Sequence, residues 1–391
     1  MKKVLIYCLA LTIVLGGCKK KSPTGEVKED PKETEIPTGP DGKGGSIPAK
    51  ADIYLFGKNG LPSANYVLWT ENTKLDNFLS YNLDAMAIEG LFIQGNKINT
   101  DKSVNFFGSH LIGNNKYRIS FFSKDKYYHL AETLKVPISA NFTEASIAYT
   151  FYNKSLYMLA EGVGVNGTLN YYYKITDKGD FTVHTVTPNV DYDFIAGSNQ
   201  GAILSNQTIK LLWTDVKMYR DQNLIHNFQI QAEGYSYLTM LDMQMIDDQL
   251  AFFSCSARRD SDGKMKYLYI TANLNTKTIN YSAAQEIPLN ATIGNVLINQ
   301  SKVYIPVTAP DTKECYYLTL LRNPAGGYTV QKVELETPGT ENFHADQIFI
   351  SGDDVYVQGG EGTLPCYWKN NKLMRLKHNN VNTAYIHDIR K

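Results

Sequence analysis

Five polar residues recur at matching places along this chain: Asp193, Asp242, Asn295, Gln347 and Asp388. Each stands directly before an apolar residue, namely Phe194, Met243, Val296, Ile348 and Ile389. Carboxylate and amide oxygens gathered around a channel can hold a cation or ordered water. Two carboxylates about 5–10 Å apart can also act as acid and base on a glycosidic bond. The plainer alternative is that such groups simply solvate a wet interior. Two further repeat units place Gly90 and Ala148 at this position. A one-residue slip would turn every one of these side chains to the opposite face.

Other candidate chemistry is sparse. The chain has no Gly-x-Ser-x-Gly elbow, no His-Glu-x-x-His pair and no Gly-Lys-Ser/Thr phosphate loop. The Ser-x-Asp-x-Gly-x-Thr-Trp turn of sialidase propellers is missing too. His344 and Asp346 alternate onto one strand face, as a weak metal pair or a polar contact at a strand end. Arg258-Arg259-Asp260-Ser261-Asp262-Gly263-Lys264 resembles part of a calcium loop but lacks the later ligands and the closing Glu; a hairpin turn on Asp262-Gly263 explains it. Tyr66, Tyr219 and Tyr235 are loop candidates for stacking on sugar rings, whereas most other tyrosines fall where strands pack. No catalytic residue, metal or cofactor is assigned from the sequence.

The elements that must position these residues come from a repeat. Gly352-Asp353-Asp354-Val355-Tyr356-Val357-Gln358-Gly359 has weaker copies whose second strand residues are Tyr54, Asn105, Tyr157, Ile203, Ala251, Tyr304 and Tyr356. The period is about 50 residues. Trp69, Trp213 and Trp368 are expected in the strand that follows, which other units fill with 117–121, 171–175, 267–270 and 316–320. A further strand precedes each Tyr-type strand: 86–93 before the turn 94–97, 238–246 before 247–249, 291–298 before 299–302, and 345–350 before 351–354. Asp, Asn and Gly supply the turn conformations. Four antiparallel strands repeated in this way resemble the blade of a β-propeller. The expected fold is therefore all-β, a propeller of seven blades with six or eight left open. The C-terminal strand 383–389 would complete the blade begun at residue 52, leaving no open edge.

Residues 1–17 read as a secretory leader, with Lys2-Lys3 before an apolar run too short to span a bilayer. Leu15-Gly16-Gly17-Cys18 resembles the lipobox of bacterial lipoproteins, which implies that Cys18 is lipidated and that the membrane is reached through that anchor. The 32 residues Lys19–Lys50 are poor in apolar side chains and form a tether of roughly 30 Å at coil dimensions. Residues 51–391 make up a single propeller domain. Lys19-Lys20-Lys21 lack the Asp that retains some lipoproteins at the inner membrane, which favours the outer membrane, with the periplasmic or surface side left open.

The whole chain carries 39 basic and 39 acidic residues. Losing Lys2 and Lys3 with the leader leaves a charge near −2 and no basic patch, so nucleic acid is not an expected partner. Cys255, Cys315 and Cys366 read as small buried apolar residues, a Cys255–Cys315 bridge being the exception kept open. The expected function is a non-catalytic binding or scaffolding module for a glycan or protein partner. The alternatives are a polysaccharide-active hydrolase or lyase using Asp193, Asp242 and Asp388, and an envelope-assembly factor. The last usually carries an Ala-Leu-Asp-x-x-Thr-Gly-x-x-x-Trp repeat, which is absent.

Overall fold

Alternation and turn chemistry resolve into antiparallel meanders. The computed structural model describes residues 53–59, 65–72, 77–82, 91–99, 104–111, 117–123, 127–134, 145–164, 167–187, 190–286, 291–299, 302–322, 328–339, 342–362, 364–376 and 384–390. All belong to one compact unit, Glu35–Lys391. Cys18, the leader, the tether and Gly90 lie outside the described residues.

The chain is all-β, in a β-propeller arrangement of four-stranded sheets, with one helical turn, Leu130–Thr133, among the described residues. Of the sheets these residues form, six have four strands and one has a fifth, short strand. The sheet Ala145–Tyr152, Ser155–Gly164, Gly167–Ile175 and Phe181–Thr185 is representative. The N-terminal sheet is built differently. Its first strand is Ala384–Arg390, which lies antiparallel to Ile53–Asn59 with Leu55 opposite Ile389.

First strands touch first strands. Ala145–Tyr152 contacts Phe194–Ser198, which contacts Tyr235–Met245; that strand meets Leu297–Asn299, which meets Phe343–Ser351. Phe343–Ser351 in turn contacts Ala384–Arg390, and that contacts Leu91–Ile98. The core lies between sheets. Tyr157, Leu159 and Tyr172 pack on Ala202, Leu204 and Tyr219 of the next sheet. Phe252 and Tyr269 likewise pack on Val303, Ile305 and Val307. Each such side chain contributes about 1.5–3 kcal/mol on burial, so blade-on-blade packing outweighs the polar staples that fix register.

Two of those staples are precise in geometry. Gln207 Nε2 donates to the Met240 carbonyl at 3.2 Å, and its Oε1 accepts the Met240 N–H at 2.9 Å. Thr308 Oγ1 accepts the Ala345 N–H at 2.8 Å. Turns between first and second strands are also tied together: Asn153 Nδ2 donates to Asn199 Oδ1 at 2.8 Å, and the Asn199 N–H donates to Asp248 Oδ1 at 2.7 Å. Asn153 and Lys154 have positive φ, as do Asn370 and Asn371, which gives two-residue hairpins whose twist suits the strands they join.

Four first strands carry a bulge at the same step, with Gln94, Leu241, Asp346 and His387 as the extra residue. This step corrects several expectations. Gln94–Lys97 is not a turn but part of Leu91–Ile98, and Gly95 is there because a Cβ would come within 2.5 Å of the Phe107 ring. Residues 291–298 form two short pieces, Thr292–Ile293 and Leu297–Asn299. Between them a Cβ on Gly294 would lie 2.0 Å from the Asp346 carbonyl oxygen. Ala251 is one residue out of phase, since it faces the preceding sheet. Phe252 is the true equivalent of Tyr157 and Tyr304, all three facing the following sheet.

Trp69 and Trp368 sit in third strands, opposite Leu55 and Val357. Trp213 does not: it precedes Thr214–Arg220 and accepts the Lys210 N–H at 2.8 Å in the hairpin before it. The tyrosines taken for loop residues are in strands, Tyr66 in Asn65–Asn72, Tyr219 in Thr214–Arg220 and Tyr235 in Tyr235–Met245. Tyr219 is buried edge-on against Tyr192. Cys255, Cys315 and Cys366 are all free and buried, so there is no Cys255–Cys315 bridge.

Candidate functional site

Three of the five matched polar residues line one chamber. Asp242, Asn295 and Gln347 share a cavity of about 330 Å³ with Ala148, Thr150, Gln244 and Phe349. The walls come from the first strands of four sheets, and strand alternation explains the membership: Asp242 and Gln244 are two apart on one face, with Met243 between them in the core. Asp193 lies elsewhere. It is exposed, and its carboxylate accepts the Gln207 N–H at 2.6 Å. The backbone of Asp388 pairs with Phe56, while its side chain lies outside the described residues.

Asp242 is half-buried in the wall of the cavity. Its Oδ1 accepts the Met243 N–H at 2.7 Å and its Oδ2 accepts the Val296 N–H of the next sheet at 3.2 Å. Burial raises its pKa to about 6, against the opposing pull of those hydrogen bonds and of Gln244. Thr150 Oγ1 reaches Gln244 Oε1 at 3.4 Å. Asn295 bridges to Gln347, its N–H donating to the Asp346 carbonyl at 2.7 Å. Gln347 Oε1 is buried without a hydrogen-bond partner, an expensive state for an amide oxygen.

The remaining candidates resolve as structural features. His344 Nε2 lies 3.5 Å from Asp346 Oδ2, and among the described residues no three His, Cys, Asp or Glu side chains gather as a metal cluster. Asp262 accepts Arg259 Nε at 3.0 Å and the Lys264 N–H at 3.1 Å, which holds its carboxyl below the usual range. Gly263 has φ +69°, so this segment is a hairpin turn.

A feature the sequence did not advertise sits at the sheet ends away from the tied turns. Leu211, Leu212 and Tyr237 are 55%, 50% and 51% exposed, and Ile209 adds to the patch. The Tyr237 N–H donates to the Leu211 carbonyl at 2.9 Å, and Tyr237 has φ +52°. A bulky residue held in that conformation is strained, and such strain collects at functional positions.

No family model matches the chain, and no curated protein matches it. Among solved structures, it is similar to a Mycobacterium tuberculosis puromycin-hydrolyzing peptidase at 11% identity and TM-score 0.45, covering 84% of this chain and 53% of the peptidase. The chain thus spans about half the length of that protein. A polysaccharide lyase is matched at 10% identity and TM-score 0.48, covering 90% of this chain and 94% of the lyase. The Vanderwaltozyma polyspora Nup133 β-propeller domain is matched at 12% identity and TM-score 0.39, covering 76% and 86%. These likenesses concern fold alone.

Proposed function

We propose that this chain is an outer-membrane lipoprotein, anchored through Cys18 and tethered by residues 19–50, facing the surface or the periplasm. Its propeller is a non-catalytic binding or scaffolding module for a protein or glycan partner. In this reading the sheets form a closed ring of seven blades, supported by the run of first-strand contacts and by the pairing of Ala384–Arg390 with Ile53–Asn59.

The observation that carries the binding role is the patch of Ile209, Leu211, Leu212 and Tyr237. Contiguous exposed apolar surface marks interaction sites, and aliphatic side chains favour a protein partner over a sugar. The described chain begins at Ile53, at a second-strand start, whereas this patch lies at a second-strand end.

A photo-crosslinker at Leu212 of the full chain in intact cells tests this. A discrete protein adduct that disappears with Leu211→Asp supports it. Absence of any adduct, together with silence on a glycan array, overturns it.

A second reading, a polysaccharide-active hydrolase or lyase, draws on Asp242, whose pKa of about 6 suits acid–base work at neutral pH. Turnover of an acidic or neutral polysaccharide that is lost in Asp242→Asn and Asp388→Asn supports it. Turnover untouched by both removes these residues from consideration.

A further inference from the structure

Asp242 is the only charged residue lining the chamber among the described residues; no lysine, arginine or histidine lines it. Its bonds to the Met243 and Val296 amides bring dipoles but no compensating charge. Two neighbouring carboxylates are engaged elsewhere: Asp193 is turned to the Gln207 N–H and Asp346 meets His344. Charges withdrawn from water in folded proteins are paired, and among the described residues no cation lines the chamber to pair with Asp242.

The rest of the lining describes the group that would pair with it. Gln347 brings a side-chain amide to the wall. Asn295 and Gln244 bring two more side-chain amides, and Ile147, Tyr149 and Phe349 supply apolar and aromatic wall. A primary ammonium carries three N–H donors and no acceptor. Its aliphatic stem lies against apolar surface, and an aromatic face attracts its charge. Among the described residues no second carboxylate joins Asp242 to hold a divalent metal.

We propose that the chamber binds a primary alkylammonium group, with Asp242 as its counter-charge and the side-chain amides of the wall as acceptors. A lysine side chain presented by a partner and a free aliphatic diamine share this chemistry. The chamber is separate from the apolar patch at Leu211 and Tyr237, so either site can fail without the other.

Calorimetric titration of the full chain in amine-free buffer at neutral pH tests the assignment, with cadaverine and Nα-acetyl-lysine methylamide as ligands and pentanol as the uncharged control. Saturable binding of either amine, without binding of pentanol, is expected. Cadaverine alone would identify a free amine as the source, and the lysine amide a presented side chain. Affinity should fall about tenfold or more in Asp242→Asn, and less in Gln347→Leu. If Asp242→Asn does not fold, the wild type decides, because binding should weaken as pH falls below the Asp242 pKa of about 6. No binding of either amine, equal binding of pentanol, undiminished binding in Asp242→Asn, or saturable binding of calcium alone overturns the proposal.

Discussion

Asp242 and Val296 belong to neighbouring sheets, yet the carboxylate Oδ2 of the first accepts the backbone N–H of the second at 3.2 Å. The same bond that joins two blades thus holds in place the one charged group that lines the chamber among the described residues. Because the folded chain keeps the Asp242 proton more tightly than the unfolded chain, stability is lost as pH rises from the ordinary aspartate value through about 6. The loss is complete above that pH and amounts to at most about 3 kcal/mol. Urea unfolding across pH 4–7 in amine-free buffer should show this slope, and Asp242→Asn should flatten it. Asp193 and Asp346 are raised in the same direction, so a slope unchanged in the variant would assign it to them.

Gln207 does for Met240 what a neighbouring strand would do, donating to its carbonyl and accepting its N–H. Gln207→Ala leaves both backbone groups of a buried residue without those partners. A destabilisation of about 1–3 kcal/mol is expected, read from chemical denaturation, with the m-value unchanged.

Gly359 and Gly234 should respond very differently to alanine. A Cβ at Gly359 would lie 1.8 Å from the His344 carbonyl oxygen, so the backbone of two strands would have to part. Gly234 has φ +77° and open space around it. Gly234→Ala should cost about 1 kcal/mol, and Gly359→Ala about 4 kcal/mol or more. Comparable melting temperatures for the two would contradict the packing.

Burial pushes the Cys315 thiol up to about 12 and raises Cys255 and Cys366 as well. The thiolate is the reactive form. Peptide mapping after iodoacetamide treatment should find these three unmodified in the native chain and fully modified in denaturant, with the native rate set by unfolding.

Much of this architecture was legible in the residues. Asp and Gly at 351–354, with alternation on either side, mark a hairpin that forms, while the same chemistry at Gln94–Lys97 marks none. Phase failed where alternation failed: Leu250-Ala251-Phe252-Phe253 is apolar at every position, so nothing local tells Ala251 from Phe252. The chamber was half visible. Asp242, Asn295 and Gln347 came from overlaying units, and Gln244 could have been added by counting two along the strand. Tyr237 could not, because no sequence signal marks a tyrosine that takes a left-handed backbone.

Leu55 and Ile389 pair across 334 positions of chain. Closing so long a loop costs little more entropy than closing one half its length, about 0.6 kcal/mol per doubling, so the burden falls on timing. A chain delivered from its amino end exposes the rim of Ile53–Asn59 until Ala384–Arg390, more than 300 positions later, has been made. Deleting residues 384–391 should therefore yield a product that self-associates, visible by light scattering. Whatever escorts the nascent chain must guard that one strand longest.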